Sequence, residues 1–139
     1  MRCIVCNQPE THVTNSRAAK NNAIWRRRHC QNCQTTFTTY ERADLSGTLR
    51  VRTADPKVTE AFSSAALLLS ILQAVTYAGG VPESAYWLAE TVTERLLTQP
   101  TQDEPIDSKQ IARLAQDTLQ NYDQLIGLAY TARHKKALR

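Results

Sequence analysis

The sequence lacks the features that mark several common protein classes. Its 139 residues contain no run of about 18 apolar residues, so we expect no transmembrane helix. The start, Met1-Arg2-Cys3, does not lead into the apolar stretch of a signal peptide, so we expect a protein that stays in the cytoplasm. No Gly-x-Ser-x-Gly or Gly-x-x-x-x-Gly-Lys motif occurs, and the three histidines are scattered: His12, His29 and His134. We therefore expect a protein that is not an enzyme.

The charges and cysteines are unevenly distributed along the chain. Residues 1–52 hold nine Lys/Arg against three Asp/Glu, a balance of +6, and residues 53–139 hold eight against ten, a balance of −2. All four cysteines lie within the first 33 residues, whereas the second part is rich in Ala and Leu. This asymmetry predicts a basic head that binds a polyanion, followed by a packed and nearly neutral body.

The cysteines form two matched pairs, Cys3-x-x-Cys6 and Cys30-x-x-Cys33, separated by 23 residues. Two thiolates at this spacing can bind one ion from a tight turn, and two such turns supply the four sulfurs of a structural zinc site. Because all four ligands come from protein, the zinc would have no open position for catalysis. Two disulfides, or a redox role for one pair, are the alternatives.

The segments around the second cysteine pair are typical of short strands. Residues 11–17 and 23–29 flank a polar turn at 20–22, and residues 35–42 form a third candidate strand. Three short antiparallel strands and two Cys-x-x-Cys turns make a zinc ribbon, which we expect over residues 1–46. Three aromatic residues in these strands are expected to form the small core of the ribbon: Trp25, Phe37 and Tyr40.

The same strands carry a cluster of arginines that is typical of nucleic-acid binding. Alternation along a strand places Arg26 and Arg28 on one face and Arg27 on the other. Guanidinium groups pair bidentately with phosphates and with guanine edges, so the cluster predicts contact with duplex DNA. A solvated basic face without a ligand is the alternative. The candidate DNA-binding residues are Arg17, Arg26, Arg27, Arg28 and Arg42.

The second part of the chain is predicted to be mainly helical. Residues 47–57 are expected to form a linker that contains one strand, and residues 58–139 a four-helix domain. The expected helices are 59–77, 84–97, one that begins after Asp107 or Ser108, and 121–136. The first helix is apolar around most of its circumference, so we expect it to be central and buried. The whole chain is therefore predicted to be an α+β protein, an antiparallel β zinc ribbon followed by helices.

The motifs of the first 42 residues resemble the N-terminal ribbon of the NrdR family. They are Met1-Arg2-Cys3-x-x-Cys6, Ser16-Arg17, Arg26-Arg27-Arg28-x-Cys30-x-x-Cys33 and Phe37-Thr38-Thr39-Tyr40-Glu41-Arg42. Members of this family are bacterial repressors of ribonucleotide reductase genes that join a DNA-binding zinc ribbon to an ATP-cone domain sensing ATP and dATP. The resemblance implies that the four cysteines hold zinc and that Arg17 and Arg26 to Arg28 contact DNA. Asn15 is a departure, because the family usually has Asp before Ser-Arg.

The order of helices is similar to an ATP cone, but the phosphate-binding residues differ. Before Phe62 the family carries a basic, Gly-containing strand, whereas residues 53–60 here contain no Gly and a single Lys57 between acidic residues. Ala66 stands where the family usually has Lys. A triphosphate needs cationic partners or a nest of backbone donors, so we expect that sensing of ATP and dATP is lost. Lys57 is the remaining candidate for nucleotide contact, and the basic end at 133–136 could substitute or add a DNA contact.

The sequence leaves other partners open. A single ribbon buries little DNA-contacting surface, so we expect a homo-oligomer, a dimer or larger, that acts at the nucleoid. Tyr86, Trp87 and Leu88 offer apolar material for such an interface, although Trp87 is expected in the core. One alternative is an activator resembling the Ogr/Delta phage proteins, which contact RNA polymerase. Another is a zinc-ribbon adaptor whose arginines bind an acidic protein instead of DNA.

Overall fold

The computed structural model describes residues 1–20, 22–53, 55, 57–99 and 105–135. The chain divides into two compact units, Met1–Ala43 and Asp44–Arg139. The first unit thus ends three residues before the boundary expected from sequence. Parts of the expected features lie outside the described residues, namely Asn21 of the polar turn, Pro56, positions 100–104 of the loop before the third helix, and Lys136.

The first unit contains a three-stranded antiparallel sheet in the order β1-β2-β3. The strands are β1 (His12–Ala19), β2 (Ala23–His29) and β3 (Thr36–Arg42), close to the predicted segments. A β-bulge between Val13 and Asn15 interrupts the register of β1 with β2, and the hydroxyl of Thr14 there donates to the carbonyl of Arg27 at 3.2 Å. The predicted antiparallel ribbon is confirmed.

The second unit contains a small three-stranded sheet, of which the sequence predicted only one strand. Its strands are β4 (Arg50–Arg52), β5 (Thr59–Ala61) and β6 (Ile106–Asp107), with β4 in the middle, antiparallel to β5 and parallel to β6. Residues 47–57, expected as a linker with one strand, thus provide the central strand of this sheet. Leu45, Leu49 and Val51 pack against the helical core.

The second unit also contains four helices, three of which begin at a side-chain cap. They are α1 (Ser64–Tyr77), α2 (Ser84–Leu97), α3 (Ser108–Tyr122) and α4 (Gln124–Arg133). The side chains of Ser63, Asp107 and Asp123 accept backbone N–H bonds at the starts of α1, α3 and α4, as N-caps do. A left-handed Gly79 (φ +75°) follows α1.

Two predicted helix limits are wrong. The first helix was expected from residue 59, but residues 59–61 pair with β4, and Phe62 donates its N–H to the carbonyl of Leu49 at 2.9 Å. The Ser63 cap then starts the helix at Ser64. The last helix was expected from residue 121, but Asp123 ends α3 and caps α4, so a single non-helical residue separates the two helices.

The core of the second unit lies among the four helices, where α1 contacts α2 and α4, and α3 contacts α2 and α4. Its fully buried large side chains are Ile71, Val75, Val92, Leu96 and Leu119. The expectation that α1 is buried around most of its circumference is wrong, because Leu69 and Tyr77 are exposed. Trp87, expected in the core, is 64% exposed.

Among the described residues, no helix is both long and apolar enough to cross a bilayer.

Candidate metal centre and nucleic-acid interface

The four cysteine sulfurs converge at one end of the ribbon. Cys3 Sγ lies 3.6 Å from Cys33 Sγ, and Cys6 Sγ lies 3.6 Å from Cys30 Sγ. All four sulfurs lie within 4.8 Å of one another. A zinc ion with Zn–S bonds of about 2.3 Å would separate its sulfurs by about 3.8 Å, so the cluster has the size of a tetrahedral thiolate site. The cysteines are free thiols, which is not the disulfide arrangement considered from the sequence.

The two Cys-x-x-Cys turns have the same backbone design. In each turn the N–H of the first cysteine donates to a carbonyl five residues later, Cys3 to Gln8 at 2.9 Å and Cys30 to Thr35 at 3.0 Å. In each turn the residue after the second cysteine is left-handed: Asn7 has φ +58° and Gln34 has φ +60°. This equivalence gives the two turns matching thiol positions, which a tetrahedral site requires.

Hydrogen bonds in the turns favour thiolates at the second cysteine of each pair. The side chain and then the backbone N–H of Thr35 lower the pKa of Cys33 to about 6. The backbone N–H of Gln8, followed by the side chain of Asn32, lowers the pKa of Cys6. The backbone of Cys33 also lowers the pKa of Cys30, but burial and the neighbouring sulfurs outweigh this effect and raise it to about 11. A bound dication offsets that cost and deprotonates a coordinating thiol.

The hydrophobic core of the ribbon is built around the sulfurs. Cys3, Cys30 and Phe37 are its buried members, and Cys6 and Cys33 pack against them. Of the three aromatic residues expected in this core, Phe37 is confirmed. Tyr40 is instead 60% exposed, and Trp25 is half-buried. With so few apolar groups, we expect the ribbon to depend on its metal for folding energy.

Strand register sorts the candidate arginines onto two faces of the sheet. Arg17 pairs with Trp25, which pairs with Tyr40, and directly paired residues share a face. Arg27 and Arg42 lie at even spacing from these positions and therefore share that side. We call this side the basic-aromatic face, defined by Arg17, Trp25, Arg27, Tyr40 and Arg42.

The opposite side of the sheet, the Arg26 face, is defined by Ile24, Arg26, Arg28, Thr39 and Glu41. Its arginines have partners within the sheet. Arg26 Nη2 lies 2.7 Å from Glu41 Oε2, and Arg28 Nε donates to Thr39 Oγ1 at 3.2 Å. Of the five arginines predicted to contact DNA, three thus lie on the basic-aromatic face and two on the Arg26 face. Part of the positive charge on the Arg26 face is neutralised by Glu41.

The basic-aromatic face contains a cation–π contact between Arg17 and Trp25. The Arg17 guanidinium carbon lies 4.4 Å from the centre of the Trp25 ring, within cation–π range. The twelve residues on this side of the strands include no acidic side chain: His12, Asn15, Arg17, Ala19, Ala23, Trp25, Arg27, His29, Thr36, Thr38, Tyr40 and Arg42. Sequence reasoning missed the role of Trp25 and the neutralising Glu41, although both follow from period-two alternation once the hairpin register is known.

The second unit contains a cavity of about 320 Å³ where β4, β5, α1, α3 and α4 meet. Its lining is mostly apolar and includes Phe62, Ala66 and Ile111. At one end the Ser70 hydroxyl and His134 Nε2 are 3.0 Å apart, and His134 stacks on Tyr130 with ring centres 4.3 Å apart. Lys57, the nucleotide candidate from sequence, is exposed in the turn between β4 and β5 and is not part of the lining.

Comparison with known proteins agrees with the ribbon and extends to the helices. Residues 1–41 match the family model described as "Transcriptional repressor NrdR-like, N-terminal domain". Proteins named "Transcriptional repressor NrdR" from Maricaulis maris and Paracoccus denitrificans are 30% and 32% identical to this chain over 136 residues. These alignments cover 97% of this chain and 82% and 86% of the relatives. The chain belongs to the NrdR family.

A third relative, from Chlamydia felis, is 31% identical over 137 residues, 98% of this chain and 87% of its own. Membership in the NrdR family, together with the four converging thiols, identifies the ribbon as a structural zinc site. The four thiols clustered there, which would hold the ion, belong to Cys3, Cys6, Cys30 and Cys33. The relatives are named transcriptional repressors, a class of regulator that is not enzymatic.

Proposed function

We propose that the protein represses transcription by binding duplex DNA through the basic-aromatic face of its zinc ribbon. The observation that carries this proposal is the charge distribution, three arginines without an acidic residue on that side of the strands. Phosphates supply most of the affinity of such a surface, and arginine is suited to them by its planar fork. The names of the relatives support repression, and a DNA-bound regulator acts in the cytoplasm at the nucleoid.

The proposal assigns different roles to neighbouring arginines. Arg27 is exposed, and its guanidinium has no protein partner among the described residues, so it is available for a phosphate. Arg28 donates to Thr39 on the other side of the sheet. Arg17 and Arg42 join Arg27 in contacting DNA, whereas Arg26 remains paired with Glu41.

Paired alanine variants of adjacent residues test this assignment. Binding of zinc-loaded protein to a fluorescent random duplex is measured by anisotropy over a series of salt concentrations. Arg27→Ala is expected to weaken binding and to reduce the salt slope by about 0.9, the value for one lost phosphate contact. Arg28→Ala removes the same charge one residue away and is expected to leave the slope unchanged.

Three results would contradict the proposal. Equal losses of slope in both variants would mean that DNA is not bound by one face. An absence of duplex affinity even at low salt would favour the protein adaptor. Transcription in vitro from a template carrying a selected binding sequence is expected to fall when the protein is added. A rise would favour the activator that contacts RNA polymerase.

We propose further that two copies of the chain associate through the outer side of α4. An apolar groove of about 380 Å³ lies there between α4 and the end of α1. Its lining residues are Tyr77, Ala78, Leu125, Leu128, Ala129 and Ala132. Tyr77, Leu125 and Leu128 are all more than half exposed, which favours a partner surface. A second copy supplies the second ribbon that a small DNA-contacting module needs for affinity.

Light scattering after size-exclusion chromatography tests the association. The wild type is expected to elute as a dimer or larger, and Leu128→Glu as a monomer. Leu69→Glu is the matched control, because Leu69 is also exposed but lies outside the groove. A wild-type protein that stays monomeric at micromolar concentration, with and without DNA, contradicts this part of the proposal.

We propose that sensing of ATP and dATP is lost. The described residues lining the cavity include no lysine or arginine, and Glu60 adds a carboxylate. A triphosphate placed there would lack cationic partners and would face a like charge. Lys57 lies outside the lining, and Arg133 donates to Gln73 Oε1 at 2.7 Å.

Calorimetry with ATP and dATP tests this loss. The wild type is expected to give no binding heat, and Ala66→Lys, which adds a cation to the lining, is expected to gain weak binding. Ala65→Lys is the matched control, because Ala65 is exposed and is not part of the lining. Micromolar binding of either nucleotide by the wild type overturns the proposal.

A further inference from the structure

Trp25 occupies the centre of the basic-aromatic face. It lies on the middle strand, directly between Arg17 on β1 and Tyr40 on β3. The row formed by these three residues has an arginine on either side along the strands. Arg27 lies in the row two residues away in one direction, and Arg42, paired with Ala23, lies in the row two residues away in the other.

The spacing of these rows matches a DNA groove. Strand residues rise about 3.3 Å each, so the outer rows, four residues apart, are separated by about 13 Å. The major groove of B-DNA is about 12 Å wide. A sheet face laid across the groove would therefore set Arg27 and Arg42 against the two phosphate backbones and the central row over the base edges.

Arg17 is held in a way that leaves its hydrogen-bond donors available. The Trp25 ring lies against its guanidinium at 4.4 Å, and none of the described carboxylates forms an ion pair with it. A cation–π contact forms without a hydrogen bond, so it leaves the guanidinium N–H donors available for a ligand. Arg26 and Arg28, by contrast, each have one guanidinium nitrogen engaged by a neighbour in the sheet, Glu41 for Arg26 and Thr39 for Arg28.

We propose that Trp25 is a positioning residue that holds Arg17 for bidentate recognition of a guanine edge, so that the cation–π pair of Arg17 and Trp25 sets the base preference of the ribbon. This inference rests on the proposed DNA-binding function of the same face. Trp25 restricts the rotamers of Arg17 before binding, which lowers the entropy lost when the contact forms. Arg27 and Arg42 supply affinity without base preference.

The experiment starts by selecting duplexes from a randomised pool with the zinc-loaded wild-type protein and sequencing those that bind. Affinity is then measured for the selected duplex and for duplexes in which one G·C pair is replaced by A·T. At one position the wild type is expected to lose about 5- to 100-fold, the range for a bidentate arginine–guanine contact. Trp25→Leu is expected to reduce that discrimination about fivefold with an unchanged salt slope.

Two further variants separate positioning from a general structural role. Trp25→Phe keeps an aromatic surface and is expected to restore part of the discrimination. In an Arg17→Ala background, Trp25→Leu is expected to change discrimination no further, because the residue that it positions is absent. Zinc content and circular dichroism confirm that each variant is folded.

The outcomes distinguish this inference from the proposed function. If the wild type fails to bind any duplex at low salt, both are overturned. If the wild type binds with a salt slope but shows no guanine preference, or if Trp25→Leu weakens all duplexes equally, only the positioning role is overturned. Additive effects of Trp25→Leu and Arg17→Ala on discrimination overturn it as well.

Discussion

The Arg26 guanidinium and the Glu41 carboxylate are joined at 2.7 Å, diagonally across β2 and β3. Because of this pair, one face of the ribbon is partly neutralised, while the strand positions of the other face carry three arginines and no acidic residue. Adjacent residues in a run of three arginines therefore have different electrostatic surroundings. The run as a whole is a poor guide to which side binds DNA.

Removing the carboxylate of this pair tests the assignment of faces. Glu41→Gln is expected to raise affinity for random duplex DNA about two- to fivefold at low salt, because the ribbon gains one unit of positive charge. The salt slope is expected to stay constant, because Arg26 points away from the DNA. A slope that steepens by about 0.9 would mean that the released Arg26 contacts a phosphate. Anisotropy measured over a salt series makes the comparison.

Metal removal is expected to affect the two units differently. Among the described residues, the buried core cluster of the ribbon consists of Phe37 and two of the cysteines, Cys3 and Cys30, whereas the second unit has its own apolar core among four helices. Stripping zinc with a chelator should therefore unfold the ribbon and leave the helical circular dichroism nearly unchanged. Amide chemical shifts in the two units report this directly. If the helical circular dichroism signal is lost when the metal is removed, the two units do not fold independently and the prediction is wrong.

The close packing of α4 against α3 predicts a sensitive glycine. A Cβ added at Gly127 would lie 2.8 Å from Gln120 Cα and 3.0 Å from its backbone nitrogen, so the helices would have to separate. Gly127→Ala is expected to lower the free energy of unfolding by about 1–3 kcal/mol, despite the better helix propensity of alanine. Gly47→Ala is the control, because nothing lies within 4 Å of a Cβ there. Urea denaturation followed by circular dichroism compares the two variants.

His134 predicts a pH dependence of the helical unit. Burial, with a smaller contribution from the charge of Arg133, lowers the pKa of His134 below its ordinary value of 6.5. The unfolded chain thus binds a proton that the folded chain does not, and stability falls as the pH drops below about 6.5. His134→Gln removes this group and is expected to flatten the curve of unfolding free energy against pH. An equal slope in both proteins would assign the acid sensitivity to other groups.

The zinc site and most element limits were predictable because they depend on local signals. The Cys-x-x-Cys spacing specifies four ligands without knowledge of the fold, and Ser84 and Asp107 mark the starts of α2 and α3. The limits of α1 were not predictable in this way, because residues 59–61 pair with strand residues located seven to eleven positions earlier. Such pairing is determined by tertiary contacts, which here outweigh the helical periodicity of the local sequence.

The surface of the ribbon was only partly predictable. Alternation separates Arg27 from Arg26 and Arg28, but it does not say on which side Arg17 lies. That depends on the three-residue connection between Ala19 and Ala23, and a slip of one residue would move Arg17 to the Arg26 face. The cation–π contact of Arg17 with Trp25 and the exposure of Tyr40 follow from this register. Trp87 illustrates the same difficulty in the helices, where an apolar residue type did not indicate burial.

The most direct test of the account is a zinc titration of metal-stripped protein in the presence of a fluorescent duplex. One equivalent of zinc per chain is expected to restore both the ribbon fold and salt-dependent DNA binding, and the same titration of Arg27→Ala is expected to restore the fold with weaker binding. Duplex affinity that is already complete without zinc, or that does not return when the ribbon refolds, would contradict the claim that a thiolate-bound ion organises a DNA-binding face.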